Sequence, residues 1–112
     1  MTTAITKQEA EAINKKGYQL GHQAGNLQQG AEALLECAKI NPKLTDNKRK
    51  SYFREARKEL KLAANLFTQG AGFLQQTLDV HPIYSLMNRS TVSKWLARAE
   101  HCLVLVKNSK HS

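Results

Sequence analysis

The strongest constraint on this chain is a pair of heptad runs separated by Asn41-Pro42. The first reads Ile13, Gly17, Leu20, Ala24, Leu27, Ala31, Leu34, Ala38 in strict steps of four and three, and the second reads Phe53, Ala56, Leu60, Ala63, Phe67, Gly70, Leu74, Thr77 at the same spacing. A small or apolar residue recurring every 3.5 positions keeps one stripe of a helix against one neighbour along its whole length. Thr6-Lys7-Gln8-Glu9 has the form of a capping box, so the first helix is expected over about 6–40, where Asn41 can close it and Pro42 cannot continue it. Thr45 or Asp46 can cap the second, over about 46–80, before His81-Pro82. Two helices of similar length with a short connection fold back as an antiparallel hairpin. A turn centred on Lys43-Leu44 sets Ala24 opposite Ala63, Gly17 opposite Gly70 and Leu27 opposite Leu60, alternating small layers with large ones.

After His81-Pro82 the pattern predicts a connection with a short helical turn through Ile83, Tyr84, Leu86 and Met87. Ser90 or Asn88 then caps a third helix over about 90–107, with Val92, Trp95, Leu96, Ala99, Leu103 and Val106 as its buried stripe on the open side of the hairpin. The expected fold is all-α, a three-helix bundle built on a long antiparallel hairpin. At 112 residues the chain is long enough for one core and too short for two, so one domain over 1–112 is expected, frayed at 1–5 and 108–112. Arg89 to Leu96 resembles the recognition helix of a helix-turn-helix regulator. The register does not follow, because it places Pro82 inside the preceding helix and Leu86 where the tight turn commonly has Gly. A capped helix with Trp95 and Leu96 in the core is the better reading.

Charge narrows the function. The chain carries 17 Lys and Arg against 9 Asp and Glu, a net charge of +8, which favours phosphate-rich or acidic partners. Most of the excess lies around the start of the second helix, where Lys43, Lys48, Arg49, Lys50, Arg54, Arg57, Lys58 and Lys61 face only Asp46, Glu55 and Glu59. At about 100° per residue, Lys50, Arg54, Arg57, Lys58 and Lys61 share one face. With Lys48 they form a candidate nucleic-acid-binding ridge, since Arg forks and Lys point charges about one turn apart suit successive backbone phosphates. Glu55 and Glu59 near Lys58 also fit an ordinary surface helix of mixed sign.

A second candidate contact is uncharged. Gly17, Gly21 and Gly25 recur every fourth residue; Gly17 belongs to the small layers, whereas Gly21 and Gly25 drift off the seam beside His22, Asn26, Gln28 and Gln29. The second helix carries a matching stretch, so Gly21, Gly25, Gln29, Gln69, Gly72 and Gln76 are expected at a protein interface, with a second copy of the chain or another subunit.

Catalytic chemistry is not expected. His22, His81, His101 and His111 lack metal-ligand spacing, no Gly-rich phosphate loop follows a strand, and neither a metal, a cofactor nor a small-molecule substrate is called for. Cys37 and Cys102 lie among apolar neighbours and read as reduced core thiols. The longest apolar run, Cys102 to Val106, is far below the roughly 20 residues of a membrane span, and Met1 to Lys7 lacks the pattern of a secretory signal, so a cytoplasmic setting is expected. The chain therefore reads as a small basic accessory or regulatory protein binding the phosphate backbone of DNA or RNA. The alternative is a protein-interaction module, an inhibitor, adaptor or subunit, whose ridge meets an acidic protein surface.

Overall fold

In the computed structural model, which describes residues 5–80 and 82–109, α1 spans Lys7–Ile40, α2 Asp46–Thr77 and α3 Pro82–Ser109. The helices lie along one another in an elongated body of 58 × 23 × 19 Å, and none is long and apolar enough to cross a membrane. Thr6 caps α1 by accepting the Glu9 amide at 3.1 Å, while its hydroxyl donates to the Glu9 carboxylate instead of leaving that group to the Thr6 backbone. Thr45 caps α2 by accepting the Lys48 amide at 3.2 Å. Arg49 holds the far end of α1, donating to the carbonyls of Ala38, Asn41 and Leu44, of which Ala38 belongs to the last helical turn.

All eight seam positions of α2, Phe53 to Thr77, are buried. On α1 the small members Gly17, Ala24, Ala31 and Ala38 are buried, but Ile13, Leu20, Leu27 and Leu34 are only half-buried. A second row, Gly21, Gln28 and Leu35, takes the interior place that a hairpin alone would have given to those larger residues. The cause is α3, whose Trp95 lies on Gly21 and whose Arg98 is bonded to Gln28, so α1 presents two faces inward.

Gly17 and Gly70 do face each other. A Cβ on Gly17 would lie 3.1 Å from the Gly70 carbonyl oxygen, and one on Gly70 would lie 2.9 Å from that of Gly17. The backbones of α1 and α2 therefore meet at the distance only Gly permits.

The largest departure concerns α3. It begins at Pro82 and runs unbroken, where the sequence pattern predicts a connection with only a short helical turn before a helix starting near residue 90. Proline lacks an N–H that the first helical turn does not need, and its fixed φ suits that position, so Pro82 opens this helix instead of delaying it. Asn88 is consequently no cap. It is fully buried, on one side of a helix that runs two residues past its expected end, to Ser109, itself buried; of the termini expected to fray, 1–4 and 110–112 lie outside the described residues. The inward stripe is Tyr84, Asn88, Val92, Trp95, Ala99, Cys102, Val106 and Ser109. Leu96 and Leu103, expected inside, are about half exposed because each falls one residue off that spacing.

The third helix also does not close the hairpin symmetrically. α2 is central, packed along its length by α1 on one flank and α3 on the other, while α1 and α3 meet at few points. Arg57, which reaches the Ser109 carbonyl at 3.3 Å, shares its heptad row with the buried Ala64 and Ala71, so small side chains let α3 settle on that flank. An open cleft remains between α1 and α3.

Candidate functional site

The ridge is built by the first half of α2, whose Phe53, Ala56 and Leu60 face the core and turn the intervening positions outward. Lys48, Lys50, Arg54, Lys58 and Lys61 are exposed. Among the described residues none of them forms an ion pair, so Lys58 is not joined to Glu55 or Glu59 as an ordinary mixed-sign surface helix would have it; the one contact of this kind sets His101 Nε2 3.9 Å from the Glu32 carboxylate. Arg57 differs from its neighbours. It is half-buried and donates to the last carbonyl of α3, so its first duty is structural.

The Gly and Gln residues do not form one face. Gly21 is buried, and a Cβ there would overlap the Trp95 ring, so its missing side chain serves a contact within the chain. With Gly25 and Gln29 it also lines the cleft between α1 and α3. Gln69, Gly72 and Gln76 line a separate shallow hollow on α2 beside Phe73, with open space over Gly72 and Gln69 bonded to Asn65 at 3.3 Å.

The cleft was not foreseen. It has a volume of about 400 Å³, with Tyr18, His22, Gly25, Asn26 and Gln29 on the α1 wall and Thr91, Lys94, Trp95 and Arg98 on the α3 wall. Arg98 is its most ordered cation: Nε and Nη2 donate to Gln28 Oε1 at 3.1 and 2.9 Å, and the guanidinium lies 4.5 Å from the Phe67 ring centroid. The four-residue spacings of Gly21-Gly25 and of Lys94-Arg98 were both visible in the sequence; their convergence required knowing that α1 and α3 share an opening.

Gly25 and Gly70 make the difference between open and closed space measurable. A Cβ at Gly25 would sit at ordinary contact distance, 3.7 Å or more from the Arg98 amino groups, so Gly25→Ala is expected to raise stability by about 1 kcal/mol through helix propensity. At Gly70 the same methyl meets the Gly17 carbonyl at 2.9 Å and the Trp95 ring at 3.1 Å, and Gly70→Ala is expected to destabilise by about 1–3 kcal/mol. Urea unfolding of the two variants checks the opposite signs.

The cysteines are free. Burial of Cys102, with a smaller contribution from Glu32 that outweighs opposition from Arg98, pushes its thiol above the usual range, so it stays protonated and unreactive. Among the described residues no three of His, Cys, Asp and Glu are grouped to hold a metal ion. No protein-family model, curated protein or solved structure matches the chain.

Proposed function

We propose that this protein binds the phosphate backbone of DNA or RNA through the α2 ridge, as a cytoplasmic accessory or regulatory protein. The observation that supports this reading is the row of exposed cations, Lys50, Arg54, Lys58 and Lys61, with Lys48 at its flank, left without ion-pair partners among the described residues. Such charges release counterions when they meet phosphates. About four contacts give log affinity a slope on log salt on the order of −4. The ridge offers no aromatic platform for reading bases, since Phe53 is buried in the core and Tyr52 packs partly against it.

The variant that tests this is Arg54→Glu with Lys58→Glu, because both side chains are exposed and Arg57 keeps its hold on α3. Binding to a short duplex and to a single strand is expected to weaken more than tenfold, with the salt slope reduced by about 2. Unchanged binding to both would sink the proposal.

A second reading has its own support in α3. Leu96 and Leu103, seven residues apart and each about half exposed, share one outer face of α3 that suits a protein partner. In that case the ridge steers the chain to an acidic protein surface. Partners recovered from lysate after nuclease digestion, and lost with the same double variant, would favour this reading over nucleic acid.

A further inference from the structure

We propose that the cleft between α1 and α3 binds a phosphate monoester, a terminal phosphate on a small organic body. This does not rest on the ridge, since no ridge residue lines the cleft. The central group is Arg98. Its partners, Gln28 and Phe67, are both neutral, so they fix the orientation of the guanidinium without cancelling its charge. Two of its five N–H groups are taken by Gln28. The rest remain for a ligand, and Nη1 and Nη2 border the space that Gly25 leaves open.

Lys94 stands one helical turn before Arg98 on the same wall, and His22, Asn26 and Gln29 stand on the other. Among the described residues no Asp or Glu lines the cleft; Glu32, farther along α1, is directed to His101. Donors on two walls favour an anion that accepts from several directions. A planar carboxylate would be satisfied by the Arg98 fork alone, whereas the three terminal oxygens of a phosphate monoester can meet Arg98, Lys94 and the α1 wall together. The volume of about 400 Å³ exceeds the needs of bare phosphate and leaves room for an organic body. Trp95, only 6% exposed, supplies a floor and not a stacking surface.

The test uses the full chain carrying Arg54→Glu and Lys58→Glu, so that the ridge does not contribute. Trp95 is the only tryptophan and lines the cleft, so its emission reports occupancy. At constant ionic strength, a nucleoside 5′-monophosphate is expected to give a saturable change, with inorganic phosphate and acetate each at least about tenfold weaker. Adding Lys94→Gln should weaken the monophosphate about tenfold. Adding Gly25→Asp, which sets a carboxylate against Arg98, should abolish binding, with helix content retained by circular dichroism in both variants. No saturable response to the monophosphate, or a response that survives both substitutions, overturns the site. Equal affinity for acetate overturns the phosphate assignment, and equal affinity for inorganic phosphate overturns the organic body.

Discussion

Replacing Trp95 with Ala is expected to cost about 3–5 kcal/mol, a large share of the roughly 5–15 kcal/mol that holds a domain of this size together. The indole projects from α3 into the gap left by Gly21 on α1 and Gly70 on α2, and so touches all three helices. Its ring meets Tyr18 edge-on, with centroids 5.4 Å apart and planes at 79°, and lies 6.4 Å from Phe67. Ala would remove these contacts and leave a void beside two glycines that have no side chains with which to fill it. The neighbouring Leu96→Ala, on the exposed side of α3, is the control and should change stability by no more than about 0.5 kcal/mol. Urea unfolding of the two variants measures the contrast, and similar losses for both would contradict the packing described.

Asn88→Ala is expected to cost about 3 kcal/mol, because it dismantles a polar junction between the helices. Asn88 Nδ2 donates to Asn14 Oδ1 at 2.7 Å and to Thr77 Oγ1 at 2.8 Å, while its Oδ1 accepts from the Tyr18 hydroxyl at 2.9 Å. Thr77 in turn donates to the Leu74 carbonyl at 2.6 Å. Asn88 on α3 is thereby tied to Asn14 and Tyr18 on α1 and to Thr77 on α2, so a slip of α3 along its neighbours would break several bonds at once. A double-mutant cycle with Tyr18→Phe should show coupling of at least about 0.5 kcal/mol. A melting curve for Asn88→Ala indistinguishable from that of the parent would show the junction to be dispensable.

These two residues also mark where sequence reasoning succeeded and where it failed. The heptad spacing of α2 was legible because one helix with neighbours on two flanks buries a broad, regular stripe, and the Gly17 and Gly70 pairing followed from turn position and symmetry alone. Pro82 and Asn88 were misread because each has two physical uses. Proline both ends helices and begins them, and asparagine both caps helices and fills polar sites between them. Local spacing cannot choose between those uses; the partner at Asn14, more than seventy positions away in the chain, does. The cleft was hidden for a similar reason, since its two walls come from helices that barely touch.

The arrangement of helix ends changes how the basic charge should be weighed. α1 and α3 run in the same direction, with α1 ending beside Arg49 at the start of α2 and α3 ending beside Arg57, about three turns in from that start. A helix behaves as though it carried roughly half a negative charge at its C-terminus and half a positive one at its N-terminus. Two negative poles therefore border the first half of α2, where the basic residues lie. Arg49 and Arg57 answer those poles directly, through the carbonyls at the ends of α1 and α3. Part of the positive cluster is thus the counterweight of the fold's own dipoles, and the field felt by an approaching polyanion comes from the lysines and Arg54 standing outside that balance.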